Sequence, residues 1–218
     1  MAQILRNGIS FCLIDGQAVF LDLPRDRYFR LPSSRNRAFV QLVERKTIPS
    51  DIVSFSADGE FMIEAIADDP PVPVEWPLPL RPCPALLEGE FHLGEVARAL
   101  WVQRRAEVHI RSRPIADLLG TVQQFTRSLA DASLAPGTPC GRIVRAFEHG
   151  RLLRTAANRC LPRSLGLNRA LARKGCRSHI VLGVKLGPFA AHCWVQAGQD
   201  VLNDTVEEVA RYTPILVV

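Results

Sequence analysis

Seven prolines fall between Asp68 and Ala85, in DDPPVPVEWPLPLRPCPA, and they constrain this chain more than any other feature. Proline fixes φ and lacks an amide hydrogen, so the segment enters neither a helix interior nor a central strand. It reads as a stiff, extended connector over residues 67–90, dividing the 218 residues into units of 1–66 and 91–218. Trp76, Leu78 and Leu80 are expected to pack it against one of those units.

The first unit opens with extended segments. Ile9–Ile14 meets Asp15-Gly16, a dipeptide suited to the positive φ of a tight hairpin turn, and Gln17–Leu23 returns from it. Pro24-Arg25-Asp26 turns the chain into a third strand, Arg27–Leu31. Ser33 or Ser34 then caps a helix in SSRNRAFVQLVERK, where Ala38, Phe39, Leu42 and Val43 form one apolar stripe. A shorter helical piece is expected over Ser50–Phe55. Three strands followed by a helix make a unit of winged-helix size.

The second unit begins with helices. Glu95–Arg105 places Val96, Ala97, Leu100 and Trp101 on one face, and Ile115, Leu118, Leu119, Val122 and Phe125 repeat the helical period. Ile143, Val144 and Phe147 mark a third helix that extends toward Asn158. Pro162–Lys174 forms a fourth, ended by Gly175. The period then becomes strand-like over Ser178–Val184, His192–Gln196 and Val201–Asn203. The fold class is therefore α+β, with helices followed by a small antiparallel sheet.

Charge narrows the partners. Residues 1–66 carry eight basic and eight acidic side chains, so the whole net charge of +5 lies in the remainder. A nucleic-acid reader would concentrate positive charge on its small recognition module, and here that module is neutral. The opening MAQILRNGISFCLIDG holds no apolar core of signal-peptide length, and a cytoplasmic protein is expected. Cys12, Cys83, Cys140, Cys160, Cys176 and Cys193 are expected to be reduced, most of them buried as small hydrophobes.

One late constellation points to chemistry: Cys160 in RCLPRSL, His192 in AAHCWVQAGQ and Asp204 in VLNDT. A thiol at a helix start meets free amide hydrogens and the positive end of the helix dipole, which favour a thiolate. With Ala197-Gly198-Gln199 as a hairpin tip, Gln196 faces Asp200, Trp194 faces Leu202 and His192 faces Asp204. Cys193 then points to the opposite face from His192, and Asp200 at the tip is the poorer acid. Cys160 would be the nucleophile, His192 its base, and Asp204 the group orienting the imidazole. Cys176, His179, His192 and Cys193 resemble a zinc set. His192 and Cys193 are strand neighbours pointing apart, however, so no metal is expected. No phosphate-binding glycine loop or HExxH occurs, and no cofactor is expected.

These residues also resemble a known family. Cys160-Leu161-Pro162-Arg163-Ser164-Leu165, His179–Val184, His192-Cys193-Trp194-Val195 and Asn203-Asp204 are similar to the C-terminal domain of lasso peptide B proteins. That resemblance covers about residues 91–208. It implies a transglutaminase-like, papain-like cysteine protease domain with Cys160, His192 and Asp204 catalytic. Gly16–Leu23, Arg27-Tyr28-Phe29-Arg30-Leu31 and the Ala38-Phe39 helix resemble PqqD-like leader-recognition domains. The resemblance implies that Tyr28, Phe29, Arg30 and Leu31 form the edge on which a leader peptide adds as a strand. It further implies leader removal from a ribosomally made precursor, with a separate ATP-using, asparagine-synthetase-like enzyme closing the macrolactam.

Three readings follow: a cysteine endopeptidase with a built-in leader-binding module, a transglutaminase-type acyltransferase with the same triad, and a non-enzymatic peptide-binding adaptor.

Overall fold

The computed structural model describes residues 2–45, 62–65, 71–153 and 159–218. It is an α+β structure of two compact units. The first comprises Met1–Glu75 with Thr213–Leu216, and the second Trp76–Tyr212 with Val217–Val218.

In the first unit, β1 (Ala2–Leu5) pairs antiparallel with β5 (Met62–Ala65), a pairing that the sequence pattern does not announce. A second sheet is the expected meander of β2 (Ile9–Ile14), β3 (Gln17–Asp22) and β4 (Arg27–Arg30). Ile14 pairs with Gln17, leaving Asp15-Gly16 as a two-residue loop, with φ of 49° and 74°. Those positive values are what the mirror-image hairpin turn demands. Helix α1 (Ser33–Arg45) lays Phe39 and Leu42 onto Phe11, Ala18 and Phe20. Phe39 meets Phe11 and Phe20 edge-on at 5.0 Å, and Phe29 stacks on Phe20 at 4.9 Å. Asn36 ties the helix to the hairpin: its side-chain carbonyl accepts from the Ala18 and Gln17 donors, and its amide donates to the Gly16 carbonyl. Asp22 is fully buried and is neutralised by Arg6 at 2.8 Å. The helical expectation over Ser50–Phe55 lies outside the described residues.

The Pro-rich segment expected as a connector over 67–90 is, from Trp76 on, built into the second unit. From Trp76 on, its prolines stand where no interior donor is needed. Arg81-Pro82 forms a two-residue strand, β6, parallel to Asp200-Val201, and the amide of Cys83 donates to Val201. Trp76 and Leu78 pack against Val181, Trp194, Val201, Val209 and Tyr212. Leu80 does not join them. Its amide bonds to Gln199, and its side chain is exposed.

Short helix α2 (Pro84–Leu87) leads to α3 (Leu93–Ser112), α4 (Ile115–Thr126), α5 (Pro139–Leu153) and α6 (Cys160–Ala172). The extension of α5 toward Asn158 lies outside the described residues. On α3 the buried stripe runs through Val96, Ala99, Val102 and Gln103, which rotates Trp101 outward. Helix α6 is buried almost all round, from Arg163 through Asn168 and at Leu171, because helices and sheet pack on it from several sides. Strands β7 (His179–Lys185), β8 (Ala190–Ala197) and β9 (Asp200–Val201) continue the sheet to β6 in that order. Helix α7 (Val206–Val209) and strand β10 (Thr213–Val217) end the chain, and Val218 exchanges two backbone hydrogen bonds with Ile180. Among the described residues, no helix is long and apolar enough to cross a membrane.

Candidate active site

Helix α6 begins at Cys160, two residues before the Pro162 start that the sequence pattern suggests. Arg159 at the cap gives no side-chain bond, so the first amides of the helix remain available. Burial opposes ionisation of the thiol. The hydrogen bond and charge of His192, with backbone groups of Leu161 and Cys193, outweigh it and hold Cys160 below the ordinary thiol range.

His192 lies near the start of β8, opposite Gly183 on β7. A Cβ at position 183 would sit 2.7 Å from the Trp194 ring and 2.9 Å from Tyr212, so glycine lets both rings close over the strand. They flank the imidazole, Tyr212 at 5.0 Å and Trp194 at 6.2 Å between ring centres. His192 Nε2 is 2.7 Å from Asp204 Oδ2. That bond leaves Nδ1 as the ring nitrogen open to the thiol. Burial alone would lower the histidine's pKa, but the hydrogen bonds and charges of Asp204 and Cys160 raise it to about 9.

Asp204 reaches His192 by a different route from the one expected. The hairpin register is Gln196 to Val201 and Ala197 to Asp200, one step off, with Gly198-Gln199 as the loop. Gly198 has φ of 55°, suited to a turn that takes glycine first. β9 then stops after Val201, and Asp204 comes back toward the histidine from the bend that follows. Burial would raise its pKa. His192 and the Thr205 amide, with Arg163 adding charge, hold it below the usual carboxylate range.

Beneath these three residues runs a buried polar network that sequence reasoning did not single out. Ser164 Oγ donates to the Cys193 carbonyl at 3.1 Å, and Asn203 Nδ2 donates to Ser164 Oγ at 2.9 Å. Asn203 Oδ1 accepts the Val195 amide at 2.8 Å. Helix α6, strand β8 and the Asp204 bend are thereby pinned to one another. Ser164 stands one helical turn after Cys160, on the same face, and that spacing was the available signal. Arg163, also buried, is held by Glu148 at 3.0 Å.

The remaining thiols differ in kind. Burial pushes Cys12 to about 12, Cys83 to about 11 and Cys176 to about 12, and it raises Cys193 as well. Among the described residues, no group of three His, Cys, Asp or Glu side chains is placed to hold a metal ion. Tyr28, Phe29 and Arg30 lie on β4, and Leu31 follows it, buried in the first unit's core. Among the described strands β4 pairs only with β3, at the edge of its sheet.

The chain is 42% identical over 45 residues to the microcin J25-processing protein McjB of Escherichia coli, a match covering 21% of this chain and 22% of that protein. No solved structure matches the chain. The transglutaminase-like superfamily model matches residues 100–217, more than half of the chain, from within α3 to the end of β10. A cysteine at a helix start, its ionisation favoured by a histidine on the following sheet, thus stands in a chain that belongs to the transglutaminase-like superfamily.

Proposed function

We propose that this chain is a cysteine endopeptidase that removes the leader from a ribosomally made precursor during lasso peptide maturation. The observation carrying this reading is the Cys160–His192–Asp204 relay, with its depressed thiol and its histidine raised to about 9. The similarity to a microcin J25-processing protein supplies the substrate class.

At neutral pH the opposed shifts favour a Cys160 thiolate beside a protonated His192. The thiolate sulfur attacks the carbonyl at the leader–core junction, and the electron pair moves to the carbonyl oxygen. Amides at the start of α6 are suited to that developing charge. As the tetrahedral intermediate collapses, His192 gives its proton to the leaving amine and the core peptide departs. Neutral His192 then takes a proton from water, which hydrolyses the thioester and releases the leader. Asp204 holds the imidazole and stabilises its charged form throughout.

The first unit serves as the PqqD-like leader-recognition module, with the leader adding as a strand along Tyr28, Phe29, Arg30 and Leu31. Backbone pairing supplies affinity there, and side-chain pockets supply selectivity. Carrying binder and protease in one chain raises the effective concentration of the junction at the thiol. An ATP-using, asparagine-synthetase-like partner would accept the released amine and close the ring.

The test is cleavage of a precursor peptide encoded beside this protein's gene. Cys160→Ala should abolish cleavage and leave leader affinity within about twofold. Cleavage at the wild-type rate by that variant would end the mechanism. The superfamily also contains the acyltransferase chemistry. If added primary amine were incorporated at the junction faster than water, the protein would be an acyltransferase.

A further inference from the structure

Trp101 on α3 is 54% exposed and Phe125 on α4 is 66% exposed, two large apolar side chains turned away from the core. Of the five apolar residues repeated along α4, only Leu119 is fully buried. Between α3, α4 and α6 lies a groove of about 460 Å³ whose floor is Leu165 and Gly166 of α6. Helix packing has left one apolar wall of this bundle without a partner among the described residues.

Charge says what kind of partner the groove fits. Its rim carries Arg105, Arg113, Arg169 and Arg173, and no Asp or Glu lines it. Elsewhere arginines in this chain find carboxylates, as Arg163 finds Glu148 and Arg81 finds Asp200. Among the described residues none of these four has an ion pair, and Arg105 instead lies 4.8 Å over the Trp101 ring. Their field is felt locally: after burial, Arg169, Arg105 and Arg113 are what lower the pKa of His109 in the groove wall. An uncompensated cationic rim around an apolar trough calls for an occupant with acidic residues flanking apolar ones.

We propose that the α3–α4–α6 groove docks an acidic, amphipathic peptide segment of a protein partner. Apolar side chains of the segment fill the trough beside Trp101 and Phe125, and its carboxylates meet the four guanidinium groups, which suit two-pronged pairing. A nucleotide fits less well. Arg105 and Arg169 stand within helices and Arg113 and Arg173 at helix C-terminal caps, where backbone amides are already bonded, so these residues offer no amide cradle for a phosphate chain. Extended nucleic acid would need a longer basic track than one groove supplies. The groove is separate from the Cys160, His192 and Asp204 side chains, and the proposal holds whether or not that thiol cleaves peptides.

The experiment uses the full chain and a fluorescent peptide about four helical turns long, with Leu along one face and Glu on the others. Companion peptides replace Glu by Lys, or Leu by Ser. Saturable binding of the Glu/Leu peptide is expected, about tenfold or more weaker with Trp101→Ala and with the Arg105→Gln/Arg169→Gln pair. Both variants should keep wild-type alkylation of Cys160 by iodoacetamide, which reports an intact second unit. The exposed arginine heads let the Gln pair carry the test should Trp101→Ala fail to fold. Equal binding of the Lys or Ser peptide, or unchanged affinity in the Gln pair, would overturn the proposal. So would tighter groove-dependent binding of oligothymidylate or of phosphatidylglycerol vesicles.

Discussion

Each unit of this molecule hides an asparagine that ties a helix to a hairpin, and the two do different work. Asn36 is 7% exposed and makes three hydrogen bonds around the Asp15-Gly16 turn. Asn203 is 3% exposed and links the Val195 amide to Ser164. Both satisfy buried backbone groups, which would otherwise cost about 1–3 kcal/mol each. The surroundings separate them. Asn36 closes a core of stacked phenylalanines, where an apolar fit already fixes the strands. Asn203 is joined to Asp204, so the same bonds that fold the bend also set a carboxylate against His192. A buried polar network in this chain marks either a turn to be held or a side chain to be aimed.

That contrast breaks most readily at Asn203. Replacing it by Ala should lower kcat for precursor cleavage about 10²-fold, through misplacement of Asp204, and should destabilise the fold by about 1–3 kcal/mol. Asn36→Ala should show a similar loss of stability in urea melts while kcat stays near wild type. Matching kcat losses in the two variants would erase the distinction. A smaller effect is expected at the sheet edge. Tyr28→Ala should weaken leader binding about tenfold with kcat unchanged, read by fluorescence anisotropy of a labelled leader. Unchanged affinity would remove the strand-addition model for β4.

Much of this arrangement is legible in the sequence, for reasons that differ by element. Asp15-Gly16 announces its turn because few dipeptides adopt two positive φ values. The Cys160, His192 and Asp204 set is legible because a thiol before Pro162 and a histidine in an apolar strand are chemically conspicuous. The route of Asp204 is not. Moving the hairpin tip to Gly198-Gln199 shifts the register by one, and only the early end of β9 returns the carboxylate to the histidine. Tertiary packing decided that, and no local pattern encodes it. The outward turn of Trp101 is equally silent in the α3 periodicity, since Val96, Ala99 and Val102 form a competing stripe. The prolines told where interior helix and strand were forbidden. They did not tell that Trp76 and Leu78 would pack, partly buried, against the core of the second unit.

If His192 makes Cys160 a thiolate nucleophile, the pH dependence of Cys160 alkylation reports it. Iodoacetamide labelling, followed by peptide mass spectrometry, reads all six cysteines at once. A thiol with lowered pKa stays ionised as the pH falls below 9, until its own value is crossed, whereas burial raises Cys12, Cys83, Cys176 and Cys193. Cys160 should therefore be labelled selectively at pH 7. In His192→Ala only the backbone groups of Leu161 and Cys193 are left to oppose burial, so that rate should drop at least about tenfold at pH 7 and recover only as the pH rises. Labelling of Cys160 that follows an ordinary thiol titration and ignores His192 would mean that the histidine does not activate the thiol.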